Sequence, residues 1–452
     1  MRVRRRLSIV VAVVALAGCS MWTQGRADGG RSGNNPQEQA ITAANVGGLT
    51  ETSHIVAQIP TDPVVNSAGI LALGGLAYDL NTCGPSSCHR TLTGGAQRPA
   101  FVDHTIYGIT TTTGRNWVIG AFADRGPDAC RTQPSLCPPM WVATLPATFD
   151  PNQSVIRDFV IDGNALVAHM YTVDFAVSRF ELWVVSWDIS ANTACPADSS
   201  GVRVCTAKWA QRVGVAEGEF DPINELWRPV AAAGGRIVSL REHTPQGAIQ
   251  ARDPDGNEVW NADGYFDGDP VLTATRLWAP LASGDVVAFD SRGVAGCMTV
   301  ATGEPWSCSP LVTLVPGAPA TGMAVTADAV YVTAKDGRLY AFDAHGAAGC
   351  SGSPTVCTPL WSAVADTGAV WAPSVAGDVV YTATKTVVSP GSPGTLRAFD
   401  ANGIKGCSGV PKVCAPLKEV PLATGPASPV VVAGGRVIVP TFGRVVIMKV
   451  PQ

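Results

Sequence analysis

The stretch Ala329-Val330-Tyr331-Val332-Thr333-Ala334, Lys335-Asp336-Gly337, Arg338-Leu339-Tyr340-Ala341-Phe342-Asp343 reads as strand, tight turn, strand. Two runs rich in β-branched and aromatic residues flank a turn-forming Asp-Gly, which is the hairpin signature. The second run is one copy of a repeat. Ala288-Phe289-Asp290 and Ala398-Phe399-Asp400 match Ala341-Phe342-Asp343, and in all three a Gly follows the Ala by five residues and a Cys by nine. Ala121-Phe122 keeps Gly126 and Cys130, and Ser186-Trp187-Asp188 keeps the step to Cys195. Ala77-Tyr78-Asp79 is a shortened copy ending at Cys83, and Ala251-Arg252-Asp253 lacks cysteines but has Gly256 and Trp260. Seven copies of one unit result.

Each unit opens with a second landmark, a short strand often led by Pro. These openings are Pro63-Val64-Val65, Pro99-Ala100-Phe101, Phe159-Val160-Ile161, Pro229-Val230-Ala231, Pro270-Val271-Leu272, Met323-Ala324-Val325, Pro373-Ser374-Val375 and Pro429-Val430-Val431. Eight openings stand against seven Ala-x-Asp copies. The last unit runs out near Val450, and the β-favouring stretch 45–57 at the other end is free to complete it. That arrangement predicts an all-β fold: an eight-bladed β-propeller, with seven blades as the alternative, closed by an N-terminal strand in the C-terminal blade. A length of 452 residues would otherwise mean about three domains, but one closed array absorbs it. The 48 Gly and 34 Pro agree with many turns and short strands.

Ahead of the repeats, residues 1–18 read as a lipoprotein signal peptide. They comprise an Arg-rich start, an apolar run from Leu7 to Leu16, and Leu16-Ala17-Gly18-Cys19, which resembles a bacterial lipobox. Cys19 is then the lipidated N-terminus. Residues 19–40 are expected as a flexible tether reaching about 25 Å by random-coil scaling, and 41–452 as the propeller. Thirteen cysteines become twelve once Cys19 is set aside. They fall into six local couples, Cys83/Cys88, Cys130/Cys137, Cys195/Cys205, Cys297/Cys308, Cys350/Cys357 and Cys407/Cys414, expected as disulfides of an exported protein. Zinc is the competing reading, but only the first couple has knuckle spacing and no second couple stands near it.

The Ala-x-Asp…Gly…Trp pattern, best kept in Ala251-Arg252-Asp253-Pro254-Asp255-Gly256-Asn257-Glu258-Val259-Trp260, resembles the quinoprotein-like (PQQ-repeat-type) propellers. That family holds quinone-dependent alcohol dehydrogenases and a barrel-assembly lipoprotein of Gram-negative bacteria. The resemblance covers about 41–452 and implies that a tryptophan of one blade docks near a glycine of the next. It speaks to fold more than to function. A dehydrogenase of the family would also carry adjacent cysteines in a disulfide, and no two cysteines are adjacent here.

No catalytic, metal or cofactor motif is legible. The six histidines lack metal spacing, and neither a nucleophile elbow nor a P-loop is present. Asp253-x-Asp255-Gly256-Asn257 looks briefly like a calcium loop, but Gly264 stands where an EF-hand Glu belongs, and the same residues form ordinary turns. Net charge is −4, and −8 once residues 1–18 are removed, which leaves no basic footprint for nucleic acid. What remains is a surface. Residues beside the opening strands, Asp62, Arg98, Trp227, Arg228, Asp269 and Trp371, are expected at one mouth of the central channel, as candidate contacts for a polar ligand or peptide. The expected function is a non-enzymatic binding or scaffold lipoprotein of the bacterial cell envelope. It would be monomeric, held to the outer face of the cytoplasmic membrane (or periplasmic in a Gram-negative cell), with an envelope protein or peptide as partner. A quinone-dependent enzyme is the alternative.

Overall fold

The computed structural model describes residues 21–57, 62–93, 97–112, 115–125, 138–146, 149–150, 153–174, 179–217, 230–241, 248–299, 304–365, 369–385 and 391–451. The chain folds into eight sheets, the blades of a ring, each built on four antiparallel strands. Their innermost strands are Val64–Val65, Gln97–Val102, Ser154–Asp162, Ala231–Ala233, Val271–Leu272, Ala320–Val325, Ser374–Ala376 and Val431–Ala433. These are the eight openings read from the sequence, and blades 1 to 8 are numbered by them. The seven Ala-x-Asp segments lie in the third strands of blades 1 to 7, not in their outermost strands. Among the described residues, helical structure is limited to short 3₁₀ turns at Val46–Gly48, Leu80–Thr82 and Ile189–Ala194, and no helix is long and apolar enough to cross a membrane.

Closure follows the expected route. Blade 8 takes three strands from the C-terminus and its outer strand, Thr50–Val56, from the other end of the chain, with Ser53 opposite Ile447 and Ile55 opposite Val445. Arg444–Met448 thereby lies between two paired strands, and no open edge is left inside the array. Apolar side chains from both faces of each blade pack into its neighbours. Trp278, Val330 and Phe342 are buried together between blades 5 and 6, and Val379, Val437 and Met448 between blades 7 and 8.

The repeat landmarks have distinct structural tasks. A Cβ on Gly256 of blade 4 would lie 2.7 Å from Trp209 of blade 3, and one on Gly403 of blade 7 would lie 2.7 Å from the Trp361 indole nitrogen of blade 6. Gly293 meets Trp260 in the same way. Each of these glycines has positive φ, so both conformation and space demand glycine. The tryptophan-to-glycine dock between neighbouring blades is therefore present, although Val312 takes the indole's place against Gly346. The aspartates close the adjacent turns. Asp343 accepts the N–H groups of His345, Ala347 and Ala348 at 2.6–2.9 Å, and Asp290 those of Arg292, Val294 and Ala295.

Five of the six expected disulfides are formed: Cys83–Cys88, Cys195–Cys205, Cys297–Cys308, Cys350–Cys357 and Cys407–Cys414. Cys130 and Cys137 lie outside the described residues. The bonds are local, but several of the segments they staple belong to the next blade. Trp306–Cys308, inserted before the outer strand of blade 5, pairs in parallel with the outer strand of blade 4. Thr355–Cys357 does the same for blade 5, Val413–Cys414 for blade 6 and Arg203–Thr206 for blade 2. Four of the five disulfides thus clip neighbouring blades together along their rims.

Candidate functional site

The inner strands end in a ring of backbone groups, and the chain fills that ring with its own N-terminal segment. Where the sequence predicts a flexible tether over 19–40, residues 22–35 run around the inside of the channel and meet all eight blades in order. Trp22, 1% exposed, exchanges two backbone hydrogen bonds with Val65 of blade 1. Thr23 O accepts from Phe101 N of blade 2, and the Gln24 side chain bonds both N and O of Ile161 in blade 3. Carbonyls of Gly29, Gly30, Ser32 and Gly33 then accept from Ala232, Leu272, Val325 and Val375, all at 2.8 Å. Asn34–Asn35 forms a parallel bridge to blade 7, and Asn35 Nδ2 reaches Val432 O of blade 8 at 2.7 Å. Each net bond contributes roughly 0.5–1.5 kcal/mol, so the series fixes the segment firmly. The tether reading is thereby corrected. The glycines of this stretch permit close backbone approach to the inner strands.

All these contacts fall at the C-terminal ends of the inner strands, so the segment closes one end of the channel. Its arginines extend toward the other. Arg31 Nε donates to Val230 O at 2.8 Å, and its guanidinium bonds Asp158, whose second oxygen lies 3.4 Å from Arg98 Nη1. The Arg26 guanidinium donates to Met323 O. Burial lowers the Arg31 pKa to about 10, with Asp269 and Asp62 pulling it back up. Arg26 is shifted down for the same reason, and the same two carboxylates oppose that shift. At about 10, the Arg31 guanidinium remains charged at neutral pH. Asp28 is pushed up by burial, against hydrogen bonds from Ser32.

Three of the sequence-predicted mouth residues therefore converge. Asp62, Arg98 and Asp269 share one electrostatic cluster with Arg26 and Arg31 of the N-terminal segment. Asp62 and Arg98 hold positive φ to reach it. Trp371 stands apart: its indole N–H donates to Pro426 O at 3.1 Å, and Lys385 Nζ lies 5.8 Å from its ring centre. Trp227 and Arg228 lie outside the described residues. Asp28, Arg26, Arg31 and Asp158 escaped the sequence reading. The signal that could have found the first three was the run of Gly25, Gly29, Gly30 and Gly33 around charged residues.

Three adjoining clefts open on the face where the segment enters and leaves. The largest, about 920 Å³, lies between blades 6 and 7 and is lined by Asn34, Asp328, Trp361, Asp378 and Lys412. A second of about 460 Å³ lies over Gly29 and Gly30, and a third of about 250 Å³ lies between blades 3 and 4.

The residues do not fit a quinone in the channel, because main chain of 22–35 occupies one end and the Arg31–Asp158–Arg98 cluster lies above it. Nor does the Asp253 loop present a calcium cage. Asp253 accepts from Asp255 N, Asn257 N and Asn257 Nδ2 at 2.9–3.0 Å and so closes its own turn. No cluster of three metal-ligating side chains occurs among the described residues.

No family model and no curated protein matches the sequence. Among solved structures, the fold is similar to the computationally designed protein Ika8, with 11% identity, a TM-score of 0.50, and coverage of 91% of this chain and 99% of that one. It is also similar to BamB from Moraxella catarrhalis, with 14% identity, a TM-score of 0.47, and coverage of 89% and 99%. At such identities the likeness shows fold alone.

Proposed function

We propose that the chain is an exported, lipid-anchored binding module, a rigid ring held against a membrane by its own N-terminus. One observation carries this reading. The segment that follows the expected lipidation site is built into the ring, so only Ser20 and Met21 separate Cys19 from buried Trp22. Three residues reach about 10 Å when extended, which seats the ring directly on the bilayer. Trp22 runs antiparallel to the inner strand of blade 1, so the chain arrives from the end of the channel that the segment closes. The face carrying the three clefts is then turned to the membrane. The opposite mouth, with Asp62, Arg98 and Asp269, and the outer rim are turned to partners. The five disulfides agree with an extracytoplasmic site.

The reading has two tests. Cys19→Ser should move the protein from the membrane to the soluble fraction. On vesicles carrying spin-labelled lipid, a fluorophore at position 328 should be quenched and one at position 269 should not. Membrane retention of the serine variant overturns the anchor, and the reverse quenching pattern overturns the orientation.

A further inference from the structure

Four of the eight blades cover their outer sheet edge by one repeated device. Blades 1, 3, 7 and 8 have no strand outside their fourth among the described residues, and blade 3 presents the longest of these edges. In blades 2, 4, 5 and 6 a short segment adds in parallel outside the fourth strand, pairing Arg203 with Trp141, Trp306 with Trp260, Thr355 with Val312 and Val413 with Ser362. Each covering segment buries one cysteine: Cys205, Cys308, Cys357 and Cys414 are all at most 6% exposed. The segment always comes from the following blade. Blade 4 has no such insertion, because Asp253 to Asn257 turns directly into its fourth strand. Blade 3 consequently ends at Trp209–Glu217, nine residues with no strand outside them among the described residues.

We infer that the Trp209–Glu217 edge is a docking site for an extended segment of a partner protein, which adds in parallel as a fifth strand. The internal covers define the chemistry it fits: two to four extended residues, uncharged where they face inward, with a small apolar side chain in the place of the buried cysteine. The hydrogen-bonding groups are already positioned. In blade 6, Leu360 N donates to Ala341 O, Trp361 lies opposite Ala341, and Ser362 sends its N–H outward to Lys412 O at 3.0 Å. Blade 3 repeats the geometry: Lys208 N donates to Ser186 O and Trp209 lies opposite Ser186, so Ala210 takes the place of Ser362. A row of main-chain donors and acceptors of this kind is a ready template for strand addition. The inference stands apart from the lipid anchor and does not depend on it.

The probe is the disulfide-closed peptide Gly349–Thr358, a copy of an internal cover, added to the mature protein and read by hydrogen exchange. Without peptide, the Ala210 amide should exchange much faster than that of Ser362. Peptide in the millimolar range should slow exchange across 209–217 alone, and Ala210→Pro, which removes the outward N–H, should abolish the effect. In a second variant the Pro254-Asp255-Gly256 turn is replaced by residues 344–360, which should cover the edge in cis and leave the peptide no effect. That graft decides the matter if Ala210→Pro fails to fold. The inference is overturned by absence of protection in the wild type, by protection that persists in the folded variants, or by a concentration-dependent dimer that protects 209–217 without peptide and so names a second copy as occupant.

Discussion

Gly29 and Ala232 meet backbone to backbone: Ala232 N donates to Gly29 O at 2.8 Å, and a Cβ on Gly29 would stand 2.8 Å from Ala232 O and 2.6 Å from Ile161 O. Nothing flexible lies at that contact, because all the neighbouring atoms are main chain. Gly29→Ala should therefore displace the N-terminal segment and cost about 1–3 kcal/mol, as overpacking does. Gly25→Ala, whose Cβ would meet nothing closer than 3.8 Å, should leave thermal melting unchanged. Equal melting of the two variants would show that the segment contributes nothing to the ring.

Gly403 sets up a second comparison. Its φ of +62° and its 2.7 Å approach to Trp361 Nε1 combine strain with a clash, whereas Gly201 has φ of +84° and open space. Gly201→Ala should cost about 1 kcal/mol from strain alone. Gly403→Ala should cost clearly more, and Trp361→Ala about 3–5 kcal/mol. Urea midpoints that rank Gly201→Ala as the most damaging of the three would contradict the blade-to-blade dock.

How much of this was legible in the sequence depended on what each residue had to do. Openings such as Pro270-Val271-Leu272 and the Ala-x-Asp triplets announced themselves, because a repeated environment selects a repeated residue. The eight blades, the closure by a strand within 45–57 and five of the six local cysteine pairs followed. The N-terminal segment was misread because it occurs once. Gly29, Gly30, Asn34 and Asn35 form a pattern that a flexible linker shares, and only the surrounding ring distinguishes the two. Arg26, Ala27 and Arg31 even hold positive φ, a conformation that composition does not announce. The mouth residues were half legible. Position in the repeat brought Asp62, Arg98 and Asp269 to the channel, but their partners Arg26 and Arg31 lay in the misread stretch.

The turn aspartates predict an acid limb of stability. Burial pushes the carboxyls of Asp253, Asp290 and Asp343 up, but the N–H groups bonded to each outweigh it and hold all three below their ordinary value. A carboxyl with a depressed folded-state pKa contributes stability that is present above its unfolded value, about 3.9, and lost as pH falls through the folded one. Denaturant midpoints should thus be flat near neutrality and fall in acid. Asp343→Asn should lower the neutral plateau and flatten the acid slope. An unchanged slope would remove Asp343 from the account.

Cys350–Cys357 should matter locally. It closes the hairpin whose Thr355–Cys357 arm covers the outer strand of blade 5. Cys350→Ser with Cys357→Ser should cost roughly 2–3 kcal/mol on chain-entropy grounds, and amide exchange should quicken at Val312–Leu314. Quickening confined to the hairpin itself would show that the bond does not clip blades 5 and 6 together. Mass mapping should add Cys130–Cys137 to the five bonds described.

The closing strand is the last and most consequential test. Thr50–Val56 covers the whole of Arg444–Lys449, and Ile55, 3% exposed, packs with Leu71 and Tyr78 of blade 1 and with Val445 of blade 8. Its removal bares a long sheet edge and part of the core between the first and last blades. In a closed ring each blade is supported by two neighbours, so the loss spreads in both directions. Deleting 41–57 should therefore lower the melting temperature of the entire array and promote edge-to-edge aggregation. The N-terminal segment reaches all eight blades at one end only, so loss of its contacts in Gly29→Ala should lower melting by less while leaving the ring closed and monodisperse. If the 41–57 deletion melts at the wild-type temperature and stays monodisperse, the strand is an ornament on a ring that closes without it.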